Sequence, residues 1–173
     1  YQDRDPVDKD FIRRFEETFA GFFFRAVMTN GRGQESAAWQ NYFRDSSRTP
    51  LQYQLMGINA HINADLSAAL IKTFTKEELI LHRKEFIRFQ QSLRSQFFRF
   101  YEANIGATGL TRILGNLPFG LTRSWGSVIM RKWRKRQFRI AMTHFTNPGK
   151  SARLLRKTNR AKERTDRLIL RHL

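Results

Sequence analysis

A nearly uncharged segment inside a strongly basic chain is the feature that most constrains the fold of this protein. The 173-residue chain has a net charge of +17, yet Asp65 is the only formally charged residue between Pro50 and Lys72. At 100° per residue, one side of a helix through this segment is apolar and small residues cover the opposite side. Because no side is left for solvent, we predict a buried central helix over about residues 50–72. Its apolar stripe consists of Leu51, Leu55, Ile58, Ile62, Leu66 and Ala69.

The same segment is long enough to cross a membrane, but its polar side chains argue against that location. A membrane span needs about 20 predominantly apolar residues. Polar and charged groups are costly in lipid, and this segment holds Gln52, Gln54, Asn59, His61, Asn63 and Asp65. We therefore expect a soluble protein without a transmembrane segment. The first ten residues are polar and acidic, unlike a signal peptide. A signal removed before residue 1 is compatible with them, and the sequence indicates no compartment.

Helical periodicity also dominates the rest of the chain, and no run alternates cleanly at a period of two. Thr49-Pro50 is a helix-start signal, and Thr75-x-x-Glu78 is a capping box. With the breaks at NGRG (30–33) and Asn147-Pro148-Gly149, the pattern predicts an all-α, single-domain bundle over residues 1–173. Its six helices are expected at about 10–28, 35–46, 50–72, 75–104, 121–145 and 150–171, with a loop at 104–120.

Four polar residues lie in the middle of the central helix, in two pairs. Asn59 and Asn63 are four apart on one flank, and His61 and Asp65 are four apart on the other. Residues at this spacing are within reach of each other. The pairs are therefore candidates for a structural hydrogen-bond network, a ligand-binding site or an acid–base site. These three interpretations remain open from the sequence.

Histidine and carboxylate side chains are also ordinary ligands of zinc and non-haem iron. His61, Asp65 and His82 could together bind a single divalent metal, with Glu16 or Glu17 completing the site. The alternative for His82 is a core histidine with its hydrogen bonds satisfied inside the fold. The chain has no cysteine, which excludes thiolate metal sites, disulfides and a cysteine nucleophile. Nucleotide-binding loops and the common hydrolase motifs are also missing.

The segment GINAHINADL (57–66) resembles the signature of an uncharacterised bacterial family, the domain of unknown function 5995. Members carry an Asn-Ala-His-Ile-Asn segment followed by Asp-Leu. The Phe-rich FAGFFFRA (19–26) and Trp39 also fit, so the resemblance covers about residues 8–145. Members often have Pro soon after Asp-Leu, whereas Ser67 and Ala68 follow here. The resemblance implies an all-helical fold and no known activity.

The basic charge is concentrated in the last third of the chain. Residues 123–173 carry 16 Lys and Arg against two acidic residues. Such clusters attract the phosphates of anionic lipid or of nucleic acid, although they also occur on solvated helix faces. No recognised nucleic-acid motif is present. The predicted anion-binding residues flank Trp133 and Phe138 and are Arg131, Lys132, Arg134, Lys135, Arg136 and Arg139.

Two functions from different classes are consistent with these features. The first is a small-ligand or metal site centred on His61 and Asp65, with Asn59 and Asn63 as orienting or ligand-binding partners. The second is a non-enzymatic binding module whose basic C-terminal helices engage an anionic membrane or nucleic acid. The sequence leaves open whether the protein is an enzyme.

Overall fold

The computed structural model describes residues 8–30, 36–44, 47–89 and 119–172, and all regular secondary structure in these ranges is helical. The prediction of an all-α bundle is confirmed. The helices are α1 (Lys9–Thr29), α2 (Ala37–Phe43), α3 (Pro50–Ala60), a π-helical turn (His61–Asp65), α4 (Leu66–Thr73), α5 (Lys76–Leu81), α6 (83–89), α7 (Phe119–Thr146) and α8 (Pro148–His172). None of these described helices is long and apolar enough to cross a membrane.

Local sequence signals explain where several of these helices begin. The Thr49 hydroxyl accepts a hydrogen bond from the Gln52 backbone N–H, and the Gln52 side chain accepts one from the Thr49 N–H. Thr75 and Glu78 form the same reciprocal capping box at the start of α5. Each box satisfies backbone N–H groups that have no partner inside the helix. Both helix starts were predicted from sequence.

The helix predicted over residues 75–104 is interrupted at His82, which lies in a turn between α5 and α6. The His82 ring stacks on Phe11 of α1 at a centroid distance of 4.7 Å. A contact with α1 therefore accompanies the interruption, which the continuous heptad pattern did not indicate. The remainder of this predicted helix, and nearly all of the predicted loop at 104–120, lie outside the described residues.

The central helix consists of α3, the π-helical turn and α4 in one continuous run. Helices α1, α2, α7 and α8 all contact it. No residue from Asn59 to Ile71 is classed as exposed, as expected for a helix without a solvent face. Close packing begins earlier, because a Cβ atom at Gly57 would lie only 3.1 Å from the Tyr42 ring of α2. The central helix is thus enclosed where its polar residues lie.

Candidate functional site

The polar residues of the central helix occupy a π-helical turn, His61–Asp65. The Leu66 N–H donates to the His61 carbonyl, five residues earlier instead of the usual four. Single π-helical turns within α-helices are rare and occur frequently at functional sites. The sequence predicted a helix here but contained no signal for its wider turn.

One oxygen of the Asp65 carboxylate accepts two hydrogen bonds. Nδ1 of His61 lies 2.9 Å from Asp65 Oδ2, and Nε1 of Trp39 lies 3.0 Å from the same atom. An ionised carboxylate has no hydrogen to donate, so the His61 nitrogen facing it carries the proton. The neutral imidazole then has its lone pair on Nε2. Asp65 thereby orients His61 and selects its tautomer.

Aromatic rings surround the His61 imidazole. The Phe19 ring stacks on it at a centroid distance of 3.6 Å and an interplanar angle of 13°. Phe23 and Trp39 are further away, with centroids at 6.3 and 6.1 Å. The His61 side chain is 25 % exposed, whereas that of Asp65 is 6 % exposed. The pair is therefore a buried carboxylate behind a partly accessible imidazole.

This arrangement can accept a proton or a hydrogen bond at one defined atom. A ligand O–H or N–H at Nε2 would donate to the free lone pair. If the proton were transferred, the resulting imidazolium would be stabilised by Asp65, because the carboxylate faces Nδ1–H. The same carboxylate–imidazole relationship orients the general base of hydrolytic triads. It also orients many metal-binding histidines, in which the carboxylate stands behind the ligand.

The other polar pair has different partners. Asn59 and Asn63 hydrogen-bond to each other, with Asn63 Nδ2 at 2.8 Å from Asn59 Oδ1. Asn59 Nδ2 also donates to Asp166 Oδ1 at 2.8 Å and to the Lys162 carbonyl at 3.1 Å, both in α8. These contacts tie the central helix to α8. Neither asparagine contributes to the described hydrogen bonds of His61.

A buried ion pair extends this second network. Lys162 Nζ lies 2.6 Å from Asp166 Oδ2, and both side chains are almost completely buried. Lys162 also donates to the Ala38 carbonyl, and Asn41 donates to Asp166 Oδ2. Three helices, α2, α3 and α8, therefore meet at one pair of opposite charges. Buried charges require such pairing, because an isolated one is costly to remove from water.

The side of the network that faces α7 is only partly satisfied. Gln137 Nε2 donates to the Asn63 carbonyl at 2.9 Å. Within the described residues, the buried atoms Asn63 Oδ1, Gln137 Oε1 and Ser67 Oγ form no hydrogen bond. Buried polar atoms of this kind are the usual positions of ordered water. The Asn59–Asn63 flank therefore belongs to a buried hydrogen-bond network that joins the central helix to α7 and α8.

His82 is not brought to His61 and Asp65. Its Nδ1 lies 3.6 Å from Asp8 Oδ2, and its ring stacks on Phe11. Phe11 and Phe19, which stack on the two histidines, are eight residues or about 12 Å apart along α1. Ligands of one zinc ion each lie about 2 Å from the metal, so this separation is too large.

The two glutamates considered as further ligands are both exposed, unlike Asp65. Glu16 is exposed, and exposed Glu17 accepts a hydrogen bond from Arg13 at 2.9 Å. Throughout the described ranges, no group of three or more His, Asp or Glu side chains is arranged to hold a metal ion. Of the side chains proposed from sequence as a mononuclear set, the structure brings together His61 and Asp65, and His82 lies elsewhere.

The predicted anion-binding residues converge on one cavity, which lies between α5–α6 and α7. The cavity has a volume of about 810 Å³. All six predicted cations line it, together with Arg83 of α6, and none of the lining residues that the structure describes is acidic. Its apolar lining consists of Ile80, Phe86, Ile87, Met130, Phe138 and Met142. We call this space the basic cavity.

The electrostatic crowding in the basic cavity is reflected at Arg136. Burial lowers the pKa of its guanidinium, and the positive charge of Arg139 lowers it further. Like charges held together in this way increase the affinity for an anion placed between them. The basic cavity therefore combines apolar side chains with a strongly positive electrostatic potential.

Several residues of these sites were not recognised from sequence. Trp39 was noted beside the family signature, but its indole could not be assigned to Asp65. Asp166 offered a signal, since it is one of only two acidic residues in a stretch with 16 cations. A single acidic residue among so many cations indicates that its side chain pairs with a specific partner and is not simply exposed to solvent. Phe19 belongs to the Phe-rich segment noted with the family signature, and its stacking on His61 depends on how α1 docks.

The fold and the site define an all-α bundle whose central helix holds an oriented His–Asp pair in a π-helical turn. A family model described as "Family of unknown function (DUF5995)" matches residues 2–172, and the chain belongs to this family. The match extends beyond the stretch that resembled the family signature and includes α8. No curated protein and no solved structure matches the chain.

Proposed function

We propose that this protein binds a small polar molecule at His61, with Nε2 as the atom that accepts a hydrogen bond or a proton from it. The observation that carries the proposal is the double hydrogen bond to Asp65 Oδ2 from His61 and Trp39. It orients the imidazole so that the basic nitrogen is the one left available. Phe19 supports one face of the ring at 3.6 Å, which restricts its rotation.

A small organic ligand fits these contacts better than a metal ion does. Asp65 Oδ2 already accepts from two donors and stands behind the imidazole, so it is better suited to orient His61 than to coordinate metal. Catalytic zinc sites use three protein ligands, and the described residues contain no group of three or more His, Asp or Glu side chains arranged to hold a metal ion.

A fragment screen by NMR tests the proposal directly. The probes are small alcohols, amides and carboxylic acids, and the readout is the chemical shift of the His61 ring in histidine-labelled protein. We expect at least one probe class to shift His61 and to lose binding in His61→Gln. The matched control is His144→Gln in α7, which should bind normally. Failure of all three classes to shift His61 would refute the proposal, and saturable Zn²⁺ binding at His61 would favour the metal alternative.

A second function is favoured by a separate observation. We propose that the basic C-terminal helices engage an anionic partner, an acidic membrane surface or nucleic acid. Its support is the convergence of all six predicted cations on one cavity, in a stretch that is strongly positive overall. Electrostatic attraction of this kind is independent of His61.

Binding measured at several salt concentrations tests this second function. Acidic phospholipid vesicles and duplex DNA are the probes, and neutral vesicles are the control. We expect binding to one anionic probe that weakens steeply as salt rises, because counterions are released from the partner. The His61→Gln variant should bind like the unmodified protein. Absent or salt-independent binding would exclude the function.

A further inference from the structure

The basic cavity combines two features that are separate on most protein surfaces. Part of its lining is apolar, and the charged residues among its described lining are all positive. Ligand sites in proteins commonly have volumes of about 300–1,000 Å³ and mostly apolar linings, so a cavity of about 810 Å³ is of the right size for a small molecule.

Helix α7 separates the two features by its periodicity. Met130, Phe138 and Met142 are spaced by eight and four residues and form one buried or half-buried stripe, in which the half-buried Arg134 occupies the intervening position. Arg131, Lys135 and Arg139 are spaced by four residues and form an exposed stripe beside the first. Positions four apart fall on the same face of a helix, so the two stripes run side by side along the cavity.

The opposite wall leaves apolar surface open to solvent. Ile80 of α5 is 57 % exposed and Ile87 of α6 is 44 % exposed, although both line the cavity. Phe86 beside them is buried and completes the apolar wall. Methionine side chains on the α7 side are flexible and adapt to ligands of different shape.

We infer that the basic cavity binds a single-chain amphiphile with a phosphate head group, an alkyl or acyl phosphate. The chain would lie against Met130, Phe138 and the isoleucines, where burial of each CH₂ group is worth about 0.8 kcal/mol. The phosphate would lie at the stripe of Arg131, Lys135 and Arg139.

Charge complementarity favours phosphate over a carboxylate head group. A phosphate monoester carries about −1.5 to −2 charges at neutral pH and has several acceptor oxygens. Arginine side chains match this geometry with paired N–H donors. Seven cations line the cavity, so a head group with more than one negative charge compensates them better than a single carboxylate does. The inference rests on the second proposed function and specifies the chemistry of its partner.

Calorimetric titration with dodecyl phosphate below its micelle concentration tests the inference on the full chain. Three probes separate the contributions of charge and chain: laurate has one negative charge, dodecyltrimethylammonium is cationic, and inorganic phosphate lacks the chain. We expect one dodecyl phosphate per protein, at least tenfold weaker binding of laurate and inorganic phosphate, and none of the cation. Equal binding of the cationic amphiphile, or no binding of dodecyl phosphate, would overturn the inference.

Two matched triple variants locate the head group. Replacing Arg131, Lys135 and Arg139 by Gln should weaken dodecyl phosphate binding at least tenfold. Replacing the exposed Arg153, Lys157 and Arg160 of α8 by Gln removes the same charge elsewhere and should change binding less than twofold. Equal losses in the two variants would show a general charge effect and contradict a head-group site on α7.

The exposed position of Ile87 permits a test of the apolar wall with little risk to folding. Ile87→Asp should weaken dodecyl phosphate binding at least tenfold while circular dichroism and melting temperature stay close to those of the parent. Unchanged binding in this variant would count against the cavity. If dodecyl phosphate fails but acidic vesicles or DNA bind with steep salt dependence, the cavity inference is wrong and the second proposed function stands.

Discussion

Nδ1 of His61 lies 2.9 Å from Oδ2 of Asp65, across the five residues of a π-helical turn. The same oxygen is 3.0 Å from the indole nitrogen of Trp39. A single buried atom therefore couples the orientation of the imidazole to the docking of α2 on the central helix. This relationship allows the chemical role of the pair to be tested separately from its contribution to stability.

Replacing Asp65 by Asn should change the tautomer balance of His61. The variant keeps the shape of the side chain but replaces a charged acceptor with a neutral one, which accepts weaker hydrogen bonds. Long-range ¹H–¹⁵N NMR should show mainly Nδ1–H imidazole in the parent and less of it in Asp65→Asn. We also expect a loss of about 2 kcal/mol in the free energy of unfolding. The exposed Glu163→Gln is the control, and an unchanged tautomer would contradict the proposed role of Asp65.

Trp39→Phe should destabilise the protein through its lost indole N–H. The Phe ring retains aromatic packing but leaves Asp65 without one of its two donors. Hydrogen bonds to charged groups contribute about 1.5–3 kcal/mol, so denaturant unfolding should show a loss in this range or above it. Trp133→Phe makes the same chemical change at a half-buried position in α7 and should cost less.

A double-mutant cycle distinguishes a hydrogen bond from general packing at Trp39. If the indole acts through Asp65, the losses in Trp39→Phe and Asp65→Asn should be non-additive by at least about 0.5 kcal/mol. Additive losses would mean that Trp39 stabilises the fold independently of the carboxylate.

Lys162→Met should be among the most destabilising changes of a basic residue in this chain. It leaves Asp166 buried without its cation, and the loss of one partner from a buried pair costs about 3–5 kcal/mol. Lys157→Met, at an exposed position on the same helix, should stay within about 0.5 kcal/mol of the parent. Comparable unfolding midpoints for the two variants would contradict a structural role for the pair.

The capping box of α5 should make stability depend on pH in the acidic range. The Thr75 backbone N–H donates to Glu78 and lowers the pKa of its carboxyl, and Arg14 lowers it further. A lowered folded-state pKa means that the stabilisation is present above the ordinary value of 4.5 and is lost as pH falls through the folded value.

Glu78→Gln measures this contribution, because glutamine can keep the capping geometry without the charge. The variant should melt at a lower temperature than the parent at pH 7, and the difference should shrink below about pH 4.5. Glu77→Gln is the control, because Glu77 lies in the same first turn but is not part of the capping box. This variant should lower the melting temperature by less than Glu78→Gln does. A Glu78→Gln difference that is constant from pH 7 to pH 3 would contradict the assignment.

Much of the framework could be predicted because its signals are local. The capping residues Thr49 and Thr75 and the proline at the start of α3 act within one helical turn, so their effect is visible in the chain. The near absence of charge over residues 51–71, where Asp65 is the single charged residue, likewise predicted a buried helix. The spacing of His61 and Asp65 indicated that the two could meet, and they form a hydrogen bond.

Other features depend on residues that are distant in the chain. His82 stacks on Phe11 and His61 stacks on Phe19, and these two phenylalanines are about two turns apart along α1. The spacing of residues in the chain does not indicate that the two histidines are held apart in this way. A π-helical turn has no simple sequence signal, and this one is enclosed by α1, α7 and α8. Lys162 lies in a helix rich in cations, and its burial depends on partners contributed by α2 and α3.

The amino-acid sequence alone determined an all-helical chain, a buried central helix with two polar pairs, and a basic C-terminal third. Helix periodicity, capping and charge act over a few residues, so they can be read without knowing the fold. Only the tertiary structure decided that Trp39 and Phe19 hold the His61–Asp65 pair, and that Asn59 serves a separate buried network. It also decided that cations of α7 share a cavity with Ile80 and Ile87. These outcomes depend on how helices dock, which is set by packing between residues far apart in the chain.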